Sequence, residues 1–254
     1  MPISGGNHNG KFHTTQYSAA SIPELNLELS EIDSLIFDLD GTLIDSAQQI
    51  TNALNLTSDF FGENRVSLGQ VKSLIGKPLH EILVTLNLGV LLREQFIKKF
   101  RENLKKSIDL DNLAFPYVAE LLQSIKRQGK SVGIATSKPS ELAKSVVENS
   151  ILNGQINFVQ GTDNSLHKPH PHVIEQCMKR LGSNKALMIG DRREDLAAAN
   201  AAGIKSIGIA QSSHSKNDLW LEKPLLVVDS IQDLLTLFNH MVKLSHIQQE
   251  DSKI

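Results

Sequence analysis

Short apolar runs rich in Ile and Val recur along the chain: SLIFDLD (34–40), SVGIATS (131–137), INFVQG (156–161), ALMIGD (186–191), KSIGIA (205–210) and LLVVDS (225–230). Inside each run the apolar residues follow one another without regular alternation. A strand with one wet face alternates, so this pattern predicts parallel strands covered on both faces. Between the runs lie stretches with helical spacing, among them YVAELLQSIKRQG (117–129), HVIEQCMKRLG (172–182) and REDLAAANAAG (193–203), each closing on a glycine suited to a C-terminal cap. Strand alternating with helix predicts an α/β fold, a doubly wound Rossmann-like parallel sheet.

One interval breaks the rhythm. From Ser46 to about Phe115 no buried strand is readable, only helical material such as AQQITNALNLTSDFFG and VLLREQFIKKFRENLKKSI. A crossover between parallel strands uses a single helix, so a segment this long predicts an insertion. The expected organisation is a Rossmann-like catalytic core over 31–45 and 116–242 with a small α-helical cap at 46–115. Residues 1–30, rich in Gly, Ser, Asn and Thr, are expected to be a mobile extension, a tag remnant or plain tail, and residues 243–254 a frayed end.

Composition narrows the classes without choosing among them. At 254 residues, 40% hydrophobic and 21% charged, the chain can bury a sizeable core. A formal net charge of −2 provides no basic field, so nucleic acid is not expected as a partner. The single Cys177 excludes an intramolecular disulfide and a cysteine zinc cluster; its helical spacing with Ile174 and Leu181 reads as core. No run reaches the roughly 20 apolar residues of a membrane span, and residues 1–20 lack the apolar centre of a signal peptide, so no membrane association and a cytoplasmic location are expected.

The candidate chemistry gathers where the apolar runs end. Asp38 and Asp40 close the first run, Thr136 and Ser137 the second, and Asp191 the fourth, with Asp195 just beyond; Lys168 lies in LHKPHPH ahead of a helix. In open α/β sheets, ligands bind beyond the carboxyl ends of the strands. Asp38 and Asp40 repel each other and are costly to bury, so packing alone gains nothing from the pair. Converging carboxylates need a cation, and all-oxygen ligation favours a hard ion such as Mg²⁺. A hydroxyl, an ammonium and backbone amides beside it suit a phosphate dianion, toward which a carboxylate can act as nucleophile.

Four motifs in order, DLDGT at 38–42, IATS ending at Thr136 and Ser137, Lys168 before PHP, and GDRRED carrying Asp191 and Asp195, resemble the haloacid dehalogenase-like hydrolases over about residues 33–235. The resemblance implies Asp38 as a nucleophile forming an aspartyl-phosphate. It implies Asp40 as the acid that protonates the leaving oxygen and then activates water. Asp38, the backbone carbonyl of Asp40 and Asp191 would hold Mg²⁺, with Asp195 in support. Thr136 and Lys168 would grip the phosphoryl oxygens, with backbone N–H groups near Leu39, Asp40 and Ser137 as further donors. Gly41 would let the chain turn sharply after the strand. The implied activity is a Mg²⁺-dependent phosphatase acting on a small phosphorylated metabolite, in a monomer or homodimer.

IGKPL, ATSKP and HKPHP look most like a phosphoglycolate phosphatase-like group with a helical cap, while ATSKP with GDRRED is also similar to 5′-nucleotidase-like members. A phosphomutase uses both aspartates and stays open, as does a non-catalytic binding module of the same fold. A true dehalogenase does not use the second aspartate, so Asp40 argues against it. A signalling receiver domain is about half this length and has no helical insertion.

Gly76-Lys77-Pro78 looks like the substrate-facing loop of helical-cap relatives; Lys77 can touch a charged substrate tail, or be a solvated lysine at a turn. Arg65 is a weaker candidate of the same kind. Arg192 departs from the small residue most motif-matching relatives carry there. It can neutralise the acidic site, reach a substrate, or form a surface ion pair with Glu194; like Arg193, it opposes the dipole of the helix it opens. His167, His170 and His172 share metal-ligand spacing, but Pro169 and Pro171 keep them off a helix and no cysteine or carboxylate completes a set, so no metal is expected there.

Overall fold

All six apolar runs become strands in the computed structural model, which describes residues 22–106, 113–163, 166–211 and 215–240. They are β1 (Ser34–Phe37), β2 (Ser131–Ala135), β3 (Phe158–Gln160), β4 (Ala186–Gly190), β5 (Lys205–Ile209) and β6 (Leu226–Val228). All pair in parallel in the order β3-β2-β1-β4-β5-β6. β1 is central, with Phe37 in register with Ile134 on one side and Ile189 on the other. The winding reverses between β1 and β4, so the loops leaving their carboxyl ends diverge and open a crevice.

The helices are α1 (Ile22–Ser30) ahead of β1; α2 (Ala47–Phe61), α3 (Leu68–Lys72), α4 (Leu79–Thr85), α5 (Arg93–Lys106) and α6 (Val118–Arg127) between β1 and β2; α7 (Ser140–Glu148) before β3; α8 (His172–Leu181) before β4; α9 (Arg193–Ala201) before β5; and α10 (Lys216–Trp220) before β6. Helical backbone follows over residues 231–240.

Alternate residues of β1 feed opposite faces, as a pleated strand requires. Leu35 and Phe37 join Ile134, Ile189 and the buried stripe Val118, Leu121, Leu122 and Ile125 of α6. Ile36 joins Met188, Val173, Ile174, Cys177 and Ala198 on the other side. Burying each large apolar side chain stabilises the fold by about 1.5–3 kcal/mol. Burial on both faces is why these strands carry no polar alternation.

Helices α2 to α5 gather around an apolar cluster of their own that includes Leu54, Val71, Leu83, Phe96 and Phe100. The Phe61 and Phe96 rings stack at 5.5 Å. Two chain crossings join this bundle to the sheet and run side by side, Asp45 N–H donating to Leu113 O at 2.8 Å and Phe115 N–H to Leu43 O at 3.0 Å.

Residues 22–30 depart from the expected mobile extension. They form α1, with Leu25 and Leu29 buried in the sheet's core, and Lys130 Nζ donates to Leu29 O at 3.2 Å. Two leucines four apart share one helix face, a short signal masked by the polar composition around it. Residues 1–21 and the expected tail at 243–254 lie outside the described residues. The helix expected over 90–108 is α5, beginning at Arg93; residues 107 and 108 also lie outside them. Among the described residues no helix is long and apolar enough to cross a membrane.

Candidate active site

The carboxyl ends of β1 and β4 put acidic side chains into the crevice. Asp38 follows β1 directly, its N–H donating to Ile189 O at 2.9 Å, and Asp191 follows β4. Asp195 comes from the first turn of α9, where its Oδ2 accepts from the Arg192 N–H at 3.0 Å. A carboxylate at that helix position is favoured by the dipole and by the free N–H groups. One oxygen each of Asp38, Asp191 and Asp195 lies within 4.8 Å of the others, and all three residues are buried. Thr42 Oγ1 donates to Asp191 Oδ1 at 2.7 Å and orients it.

Lys168, from the loop before α8, bridges this cluster. Its Nζ lies 2.6 Å from Asp38 Oδ1 and 2.5 Å from Asp195 Oδ1, and also donates to Ala135 O at 2.9 Å. Burial works against the lysine's charge, but the Asp195 and Asp38 carboxylates and the hydrogen bonds to them outweigh it and raise its pKa. Asp38 is pushed up to about 8: burial is the largest cause, opposed by Lys168 and reinforced by Asp195 and Asp191. Its second oxygen, Oδ2, is buried without a hydrogen-bond partner among the described residues.

Three carboxylates facing one ammonium leave a deficit of two positive charges, which a divalent cation would cancel. An all-oxygen donor set with an unpartnered carboxylate oxygen fits a hard ion of the Mg²⁺ type. Gly41 makes room for the arrangement. Its φ of +97° suits glycine, and a Cβ there would sit 2.5 Å from Asp191 Oδ2.

The Asp40 carboxylate is not one of the clustered three. It accepts from Ser46 Oγ at 2.5 Å and is gripped by Lys138 Nζ, 3.0 Å from Oδ1 and 2.9 Å from Oδ2. Only its backbone carbonyl is therefore free for the metal role the motif implies. Thr136 follows β2 directly, and its Oγ1 accepts from the Lys138 N–H at 3.2 Å. Ser137 Oγ is buried without a hydrogen-bond partner among the described residues. Asp40, Thr136, Ser137 and Lys138 line a cavity of about 70 Å³ whose opposite wall carries Gly76, Lys77 and Arg101 from the inserted helices and their loops.

Two of these residues carried no assignment in the sequence. Lys138 stands in ATSKP two positions past Thr136, so its place in a strand-end loop was a usable signal. Arg101, in the middle of α5, offered none.

Arg192 differs from a surface pair. Its guanidinium does meet Glu194, Nε and Nη2 each 3.1 Å from a carboxylate oxygen, yet the residue is 4% exposed. Nη1 donates to the Ile75 carbonyl in the insertion. Gly76 (φ +86°) packs against it so closely that a Cβ would collide with Arg192 Cδ. Arg192 therefore ties the insertion to the loop that carries Asp191.

Arg65 is instead placed in an exposed pair with Asp59 at 3.9 Å, and Arg193 pairs with Glu222 at 2.5 Å. His167 lies 5.9 Å from the His80 ring, and His170 lies 6.3 Å from that of His172. No metal-competent cluster among the described residues includes a histidine. Cys177 is core, its thiol pushed up to about 12 by burial.

A family model of haloacid dehalogenase-like hydrolases matches residues 35–209. The chain is 32% identical over 226 residues to a "probable phosphatase IndB" from Dickeya dadantii, covering 83% of this chain and 95% of that one. It is 28% identical over 214 residues to pyrophosphatase PpaX from Bacillus cereus, covering 83% and 98%. A solved haloacid dehalogenase-like hydrolase from Streptococcus pneumoniae superposes with a TM-score of 0.72 at 25% identity, over 82% of this chain and 99% of that one. Motif order, sheet topology and the Asp38–Asp191–Asp195 cluster agree with these matches, and the chain belongs to the haloacid dehalogenase-like hydrolase family.

Proposed function

We propose that the protein is a Mg²⁺-dependent phosphatase that hydrolyses a small phosphomonoester through an aspartyl-phosphate on Asp38. The observation that carries this reading is the buried cluster of Asp38, Asp191 and Asp195 bridged by Lys168, at the point where the sheet's winding reverses. Relatives named phosphatase and pyrophosphatase support the reaction class.

Asp38, Asp191 and the Asp40 carbonyl would hold Mg²⁺, with Asp195 in support. The ion would supply positive charge that keeps Asp38 an anion and balances phosphoryl oxygens. Lys168 and the Thr136 hydroxyl orient those oxygens. An oxygen of Asp38 attacks phosphorus while the bond to the leaving oxygen breaks, and Asp40 gives that oxygen its proton. Asp40 then takes a proton from water as the water attacks phosphorus, releasing phosphate and restoring the Asp38 carboxylate. Covalent catalysis splits one difficult displacement into two, each aided by the same fixed charges.

The α2–α5 insertion acts as a cap over the core formed by 31–45 and 116–242. It carries Lys77 and Gly76 to the substrate and keeps water out of the crevice. The space between the cap and Asp40 is small, about 70 Å³, which favours a small ester over a nucleotide.

The test is phosphate release from a panel of small phosphomonoesters with Mg²⁺ and with excess chelator. Release that falls by about 100-fold or more on chelation and returns with Mg²⁺ is expected. Full activity in chelator overturns the metal role. Transfer of phosphate to a second position on the substrate, in place of release, overturns the hydrolase assignment in favour of a mutase.

A further inference from the structure

We infer that Gln211 is a positioning residue of the active site: its side-chain amide holds the Gly41–Thr42 turn and, through that turn, the Asp40 carbonyl and the Asp191 carboxylate. The inference rests on the phosphatase reading and adds to it a residue outside the four motifs. Gln211 stands two positions past the end of β5. Its Nε2 donates to Thr42 O at 2.8 Å and to Gly41 O at 3.3 Å, and its Oε1 accepts from the Ile231 N–H at 3.2 Å. These three partners fix which way the amide faces. Turned over, its oxygen would meet two carbonyl oxygens and its NH₂ group would meet an N–H. Among the described residues no backbone N–H reaches either carbonyl of the turn.

The held turn joins two parts of the site. Asp40 precedes it, with its backbone carbonyl assigned to the metal. Within it, Thr42 Oγ1 donates to Asp191 Oδ1 at 2.7 Å, and Gly41 comes so close that a Cβ there would lie 2.5 Å from Asp191 Oδ2. A shift of this backbone therefore moves two of the oxygens meant for one ion. Gly41 N–H donates to Ile44 O at 2.8 Å and Ile44 N–H to Leu39 O at 3.0 Å, which closes the turn on itself. Packing leaves it room to move, because Gly41 lines a cavity of about 260 Å³ bounded also by Asp45, Phe115 and, from the insertion, Lys72 and Ile75. Gln211 lines the same cavity and spans from the turn to Ile231. That anchor is firm: Ile231 is 1% exposed, belongs to the sheet's core and opens the helical backbone over 231–240. An amide fixed at one end by the core and reaching two carbonyls at the other acts as a brace, as the outer partners of metal ligands do.

Two variants of matching size test it, each checked for folding by circular dichroism. Gln211→Met removes all three hydrogen bonds. Gln211→Glu keeps an acceptor for the Ile231 N–H but turns an oxygen toward Gly41 O and Thr42 O, which repel it. Mg²⁺ alone is titrated calorimetrically into the full chain, and kcat and KM are measured on a phosphomonoester that the natural protein hydrolyses. In both variants the dissociation constant for Mg²⁺ should rise by about three- to tenfold. At saturating Mg²⁺, kcat should fall by about tenfold with KM changed less than about twofold, and Gln211→Glu should lose at least as much as Gln211→Met. A Gln211→Glu protein close to the natural one, with Gln211→Met impaired, makes the residue a tie to Ile231 alone and overturns the inference. Mg²⁺ affinity unchanged in both variants, or a loss confined to KM, overturns it as well. If the natural protein hydrolyses no ester, the phosphatase reading falls while the Mg²⁺ titration still decides on Gln211. Turnover by the natural protein that neither variant alters keeps the phosphatase and rejects the brace. A natural protein that neither binds Mg²⁺ nor hydrolyses an ester overturns both.

Discussion

The two walls of the candidate site are built differently. On the sheet side, Asp38, Lys168, Asp191 and Asp195 are all at most 6% exposed, with Lys168 joined to Asp38 and Asp195 by short charged contacts and Asp191 held by the Thr42 hydroxyl. Asp38 and Asp191 directly follow strands held in register by their neighbours, Asp195 stands in the first turn of α9, and Lys168 lies in the loop before α8. On the side of the α2–α5 insertion, Lys77 is half-buried and Arg101 exposed, and neither side chain has a partner among the described residues. Their placement depends on a helical bundle tied to the core by the two paired crossings and by Arg192. On the proposed reading, the groups that act on phosphorus are the deeply buried ones of the sheet side, and the groups that choose the substrate are those whose fit a small shift of one bundle changes.

The sharpest way to break this comparison is Asp38→Asn. The change keeps the side chain's volume, and Lys168 retains Asp195 and Ala135 O. Turnover should fall by about 10⁴-fold or more with the fold intact by circular dichroism; comparable turnover removes the nucleophile assignment. Lys138→Met probes the ion pair that holds Asp40 at the edge of the cavity. It leaves Asp40 with only its Ser46 hydrogen bond, and kcat/KM should drop by about 10²-fold, a large part of what a positioned acid–base group contributes. An effect below about twofold would mean that Asp40 needs no cation beside it.

Arg192→Met should act mainly on the α2–α5 insertion. It leaves the Ile75 carbonyl without its donor, costing about 1–3 kcal/mol in denaturant unfolding, while Glu194 can turn to water. KM should rise more than kcat falls. A loss confined to kcat would instead place the residue in the chemistry.

The smallest expected effect is on stability against pH. Asp38's pKa in the folded protein is raised to about 8, by burial first, with Asp195 and Asp191 adding to it against the pull of Lys168. The folded state therefore holds that proton more tightly than the unfolded chain. The stability this contributes is complete below about pH 4 and is lost as pH rises through about 8. In chelator, the melting temperature of the natural protein should decline relative to Asp38→Asn across that window. Adding Mg²⁺ should reduce the decline; parallel curves would show that Asp38 is not under this strain.

Much of this architecture was legible before any contact was known. Unbroken apolar runs announce doubly covered strands, and a polar residue immediately after such a run must lie at a strand end. That is how the positions of Asp38, Thr136 and Asp191 could be read. Leu25 and Leu29 carried the signal for α1, but two residues in a polar stretch were too few to outweigh composition.

By itself the sequence determined the order of strands and helices, the length of the insertion and the polar residues that close the first, second and fourth runs, because these are local patterns of a few residues. The tertiary structure alone decided that Lys138 grips Asp40 across 98 positions and that Arg192 reaches Ile75 across 117. It also decided that Arg101 faces the same cavity as Thr136. Such pairings depend on how two separately packed apolar clusters are set against each other, and no periodicity within either segment carries that relation.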